Sequence, residues 1–161
     1  MAQSEPLYER ARDLTSKAHA VAISNHVRFT DEFVLLNYID VKWWNFFVTI
    51  AGVFVASTRL KNLQLGKDRE RHLMEVVAKE FQKWNPNASD GFEDCKAFFD
   101  RTYDGQAAAL TADEQKFVSS DTVGAWIVWN ILDRPPSTID ERRLVRVIGI
   151  LVTHIFFNWW D

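Results

Sequence analysis

Apolar residues return along this chain at intervals of three and four, and the residues that interrupt such a pattern are few: six glycines and four prolines. Positions three and four apart share one face of a helix, so the chain reads as nearly all helix. No period of 20 to 50 residues repeats, which argues against a solenoid or an array. At 161 residues, 47% hydrophobic and 25% charged, the chain is long enough to bury a sizeable core and too apolar for intrinsic disorder.

The stripe Leu7, Ala11, Leu14, Ala18, Val21 opens a first helix behind Pro6, alternating large and small residues in a way that permits close pairing with the chain's own core or with a second copy. Thr30, followed by Asp31-Glu32, is expected to cap a second helix that runs on through the apolar stretch after Trp43, with a break near Asp40, and ends by Gly66. From Lys67 to Trp84 the pattern is amphipathic, with Leu73, Val77, Phe81 and Trp84 on one face. Asn85-Pro86-Asn87 ends that helix, and Phe92, Cys95, Phe99 and Tyr103 line up on the next.

Thr111-Ala112-Asp113-Glu114 matches a capping box, Ser119-Ser120-Asp121 is an expected interruption, and Ser137-Thr138 is expected to cap a last helix from Ile139. Three stretches are apolar on nearly every side: Trp43 to Thr58, Val123 to Leu132 and Val147 to Trp160. The expected fold is therefore one compact all-α domain over residues 1–161, a bundle of about six helices with two or three strongly apolar central ones.

The formal charge of −3 excludes a strongly basic nucleic-acid binder. Cations gather from Arg59 to Arg71 but are interrupted by Asp68 and Glu70, the pattern of a solvated face. A single cysteine forms no intrachain disulfide, and the first residues have neither a basic start nor an apolar run, so a reducing, cytoplasmic setting is expected. The uncharged runs Trp43–Thr58 and Val147–Trp160 span only about 24 and 21 Å as helices, short of the ~30 Å of a bilayer core, and read first as core. A peripheral membrane contact through Trp43-Trp44 and the nearby cations is a disfavoured alternative.

Nothing in the sequence carries a recognisable catalytic framework. Glycine-rich nucleotide loops and the Gly-x-Ser-x-Gly elbow are absent, and the carboxylate pairs Asp31-Glu32, Asp113-Glu114 and Asp140-Glu141 each follow a threonine in the manner of helix caps. The four histidines, His19, His26, His72 and His154, show no metal-ligand spacing, and haem is only weakly suggested, so neither a metal nor a cofactor is expected. Cys95 follows Glu93-Asp94 and falls on a packing face, an environment that suppresses thiolate.

The strongest compositional signal is tryptophan. Of seven, four form the doublets Trp43-Trp44 and Trp159-Trp160, and adjacent helical residues point about 100° apart, so one ring of each pair can enter the core while the other stays at a rim or interface. These four residues are the expected interaction surface of a non-catalytic protein-interaction or assembly module with a protein partner or a second copy of itself. The alternative is a small-molecule or cofactor pocket between the central helices, with His154 and Asn130 as its buried polar groups.

Overall fold

The computed structural model describes residues 5–103 and 112–161, and every regular element in them is helical. Six α-helices follow in order: α1 Glu5–Glu32, α2 Val41–Arg59, α3 Lys67–Trp84, α4 Ala88–Tyr103, α5 Ala112–Leu132 and α6 Ile139–Phe156. The architecture is an all-α bundle built around α2, which touches α1, α4, α5 and α6, while α3 packs across α1 and α4. The capping box expected at Thr111 lies outside the described residues.

Helix α1 differs from the sequence reading. Thr30 does not start a helix, because α1 continues through it to Glu32 and the Thr30 hydroxyl donates to the Val27 carbonyl one turn back. The expected stripe is real but longer, with Ala11, Leu14, Ala18, Val21, Ala22 and Phe29 all buried. Burial of Phe29 outweighs the local capping signal of Thr30-Asp31-Glu32. A 3₁₀ turn over Val34–Tyr38 then redirects the chain, and the Asp40 side chain caps α2 by accepting from the Lys42 amide at 3.0 Å. The break expected near Asp40 is there.

From Val48 to Ala56 every residue of α2 is buried. Such a stretch has no polar face to show water, so neighbours must enclose it on all sides. Together with the following 3₁₀ turn, Val41–Leu63 is the one helical stretch among the described residues long and apolar enough to cross a membrane by length and composition, yet more than half of its most apolar part is buried by the bundle itself. Helix α1 crosses α2 where Ala18 faces Gly52: a methyl added at Gly52 would lie 3.1 Å from the Ala18 methyl and 2.8 Å from the Phe156 ring. The small residues of the α1 stripe thus seat α1 on the chain's own core.

The bounds of α3 are those expected, and Leu73, Val77 and Phe81 form its buried face. On α4, Cys95 is buried while Phe92 and Phe99 pack against Phe54 at 5.6 and 5.3 Å between ring centroids. Burial, helped by the neighbouring Asp94 carboxylate, pushes the Cys95 thiol well above its ordinary range, so it is a packing residue and not a nucleophile.

Helices α5 and α6 form the tightest pair in the molecule. A Cβ built at Gly124 would lie 2.0 Å from the Val145 carbonyl oxygen, and one at Gly149 would lie 2.1 Å from the Ser120 carbonyl oxygen. Ser119-Ser120-Asp121 therefore does not interrupt α5, since Ser120 is where the two backbones meet inside a continuous helix. Both helices bury one broad face and leave Trp129, Ile150 and His154 outside, so α2 is more fully enclosed than either.

The loop between α5 and α6 is held by Glu141. Asp133 takes a left-handed φ of 56°, the Arg134 amide returns to the Trp129 carbonyl at 3.2 Å, and Thr138 and Glu141 form a reciprocal capping box. The Glu141 carboxylate, 5% exposed, also accepts from Arg134 at 2.6 and 2.9 Å and from the Ser137 amide at 2.9 Å. The Arg134 hydrogen bond, followed by the Ser137 amide, holds its pKa far below the ordinary carboxylate range. A depressed folded pKa means stability that is complete at neutral pH and drains away as the pH falls below the ordinary value of about 4.5. Urea midpoints measured from pH 7 to pH 3 are expected to fall more steeply for the native chain than for Glu141→Gln, which has no such proton to take up.

Candidate functional site

A large concavity among the described residues lies at the start of α2, the end that Asp40 caps. It is a cleft of about 720 Å³ to which α1 contributes His19, the start of α2 Lys42, Trp43, Asn45, Phe46 and Phe47, the α3–α4 junction Trp84, Asn85 and Asn87, the first turns of α4 Asp90, Gly91 and Asp94, and α5 Trp126 and Asn130. Its size falls within the range of small-molecule sites.

Two aromatic arms diverge from Trp43. One runs through Phe46, whose ring stacks on Trp84 at 5.9 Å, and Trp84 stacks in turn on Phe81 at 5.8 Å. The other runs through Phe47, parallel to Trp43 at 6.0 Å and edge-on to Trp126 at 5.4 Å. Between them lie amides and carboxylates. Asp94 accepts from the Trp126 indole N–H at 2.9 Å, Asn130 donates to the Trp126 carbonyl at 2.8 Å, and Asn85 accepts from the Asn87 amide at 2.8 Å. The Asn45 side-chain oxygen, Oδ1, is buried without a hydrogen-bond partner. A buried acceptor left unpaired is unfavourable, typically by about 1–3 kcal/mol, and groups of this kind are rare. At the mouth, the Lys42 ammonium sits 5.3 Å above the Trp43 ring and 3.9 Å from Asp40.

Each tryptophan doublet divides as adjacent helical positions must. Trp44 and Trp160 are 1% and 5% exposed, with indole N–H groups donating to the Ala22 and Ala56 carbonyls at 2.9 and 2.8 Å. Of the four residues expected at an interaction surface, Trp44 and Trp160 are therefore core residues instead. Trp159 is half-buried and clasps α1, donating to the Arg10 carbonyl at 3.0 Å while Arg10 donates back to the carbonyls of Trp159 and Asp161. Trp43 alone of the four stands out from the bundle, 47% exposed, and it belongs to the cleft.

The two polar residues expected to share a pocket do not meet. Asn130 lines the cleft, whereas His154 is exposed on α6. The antiparallel register set by Gly124 against Val145 and Gly149 against Ser120 carries them to opposite ends of the α5–α6 pair. His154 was expected to be buried because Ile150-Leu151-Val152 precede it; Ile150 and His154, four apart, instead share the outer face of an amphipathic helix. The remaining histidines rest against rings, His19 on Trp84, His26 on Trp44 and His72 on Tyr8. Among the described residues, no group of three or more His, Cys, Asp or Glu is placed to hold a metal ion.

Of the cleft residues, the sequence reading singled out Trp43 and Asn130 as site candidates and passed over Trp84, Trp126, Asn45, Asp90 and Asp94. The signal available for Asn45 was its place as the one amide early in the uncharged run from Trp43 to Thr58. Asp31-Glu32 lies at the end of α1 and not at a helix start, so it is no cap, while Asp140-Glu141 is one. No protein-family model, curated protein or solved structure matches this chain, and its function is read from this geometry alone.

Proposed function

We propose that this chain is a non-catalytic binding module whose recognition site is the cleft lined by Trp43, Phe46, Phe47, Trp84 and Trp126. The observation that carries the reading is the convergence on one concavity of five aromatic rings with the side chains of Asn45, Asn85, Asn87, Asn130, Asp90 and Asp94. Rings supply contact area, and a few placed polar groups set orientation, which is the composition of a ligand site and not of a core. The cleft brings together no nucleophile with a base.

Tryptophan fluorescence titrated with a panel of cationic, neutral and anionic small molecules tests this. At least one class is expected to give a saturable change that Trp43→Ala removes, with a rise in Tm that grows with ligand concentration. A panel without any saturable response would overturn the reading.

Protein association is the second reading, favoured by the corner between α1 and α2, where Val27, Val34 and Tyr38 are 68%, 65% and 85% exposed. Exposed apolar residues in this number suit a partner or a second copy.

A further inference from the structure

Resting on the binding-module reading, we infer that the cleft takes an organic cation: an alkylammonium or alkylguanidinium group, carried by a free amine or by a Lys or Arg side chain of a peptide. The lining is rich in electron-bearing surfaces. Trp43, 47% exposed, presents an indole ring, whose face attracts cations more strongly than those of other aromatic residues, while the more deeply set Trp84 and Trp126 back the wall through Phe46 and Phe47. Asp90 and Asp94 are four apart on α4 and so share the face turned to the cleft, and the Trp126 N–H holds one Asp94 oxygen in place.

Among the described residues, Lys42 is the one cationic side chain in the lining and His19 the one other basic side chain. Lys42 already behaves as the inference requires, placing its ammonium over the Trp43 face at 5.3 Å. Its side chain is 69% exposed on a flexible stem, held by one long ion pair to Asp40, so an incoming cation can displace it without disturbing the bundle. An anion would face Asp90 and Asp94, and a purely apolar ligand would bury amides and carboxylates without partners.

The test uses the full chain at low salt and neutral pH, with calorimetry and tryptophan fluorescence. The probes are n-hexylammonium, spermidine and a blocked peptide containing Lys and Arg, with hexanol and hexanoate as neutral and anionic counterparts of the first. The cations are expected to bind at least about tenfold more tightly than hexanol or hexanoate, and less tightly as salt is raised. The pair Asp90→Asn and Asp94→Asn should weaken them about tenfold and Trp43→Ala about fivefold. Lys42→Gln should tighten them about threefold, because it clears the ring and removes a like charge. If the Asp94 change alters the melting curve, Asp90→Asn and Lys42→Gln, both on exposed residues, carry the test.

Tighter binding of spermidine or of the peptide identifies the source of the cation, and either supports the inference. Hexanol or hexanoate binding as well as hexylammonium, or Lys42→Gln weakening the cations, overturns it while leaving a binding module in place. Absence of binding by every probe overturns both.

Discussion

Replacing Gly149 by alanine is expected to destabilise the protein by about 3 kcal/mol or more, although helix propensity alone predicts a gain of up to ~1 kcal/mol. The sign is decided by what the new methyl meets. At Gly149 it would lie 2.1 Å from the Ser120 carbonyl oxygen, and at Gly124 it would lie 2.0 Å from the Val145 carbonyl oxygen. Backbone atoms cannot rotate aside, so α5 and α6 must separate and the layer between them loosens. Gly91 provides the contrast, because its methyl would meet the end of the Ile50 side chain, which can move. Thermal melts of the three alanine variants should rank Gly149 and Gly124 well below Gly91, with losses of roughly 6–12 °C for a domain of this size. A Tm raised by Gly149→Ala would mean that the helices do not approach as described.

Trp44→Ala should cost about 3–5 kcal/mol, while the same change at Trp43 should cost about 1 kcal/mol. The two rings are neighbours in sequence and opposites in setting. Trp44 lies 5.2 Å from Phe29 and 5.9 Å from His26, and its N–H closes on the Ala22 carbonyl; truncation leaves a large void where α1 crosses α2. Trp43 is 47% exposed and loses mainly its stacking on Phe47. Urea midpoints of the two variants measure the difference. If Trp43→Ala proved the more damaging, the helix would be rotated by about one residue from the orientation described.

The elements with strong local punctuation were legible in the sequence. Helix α3 starts after Gly66 and ends at Asn85-Pro86, and α6 starts on a capping box whose side chains bond as their spacing implies. Thr30 shows the limit of such signals. Thr-Asp-Glu has the chemistry of a helix start, but whether it begins one depends on whether the preceding turn is already helical, and Phe29 with its neighbours in the core decides that from a distance. His154 illustrates the same limit for burial, since an apolar run in sequence does not say which face of the helix its members occupy.

The cleft was harder to see for a different reason. Its lining comes from several separate segments between His19 and Asn130, and only packing makes them neighbours. Its rings are also the residue types that fill cores. Trp84 and Trp126 satisfy the helical period of their own helices and are partly or wholly buried, so nothing local distinguishes a ring that walls a site from one that fills the interior. Of the tryptophan doublets only Trp43 lines the cleft, and the rotation of α2 determines that it does so and Trp44 does not.

The clasp between Arg10 and Trp159 joins positions 149 apart in the chain, whereas α3 with α4, α4 with α5 and α5 with α6 are sequence neighbours. Closing so long a loop is entropically unfavourable until the intervening helices have already drawn its ends together. The expected order of assembly is that neighbouring helices pair first and the first helix is secured to the last turn at the end, which a low φ-value for Trp159→Phe would check. Contacts made after the transition state govern how fast a protein opens and have little influence on how fast it closes. On that order the clasp is expected to set the lifetime of the folded chain, its weakening showing in the rate of escape from the native state.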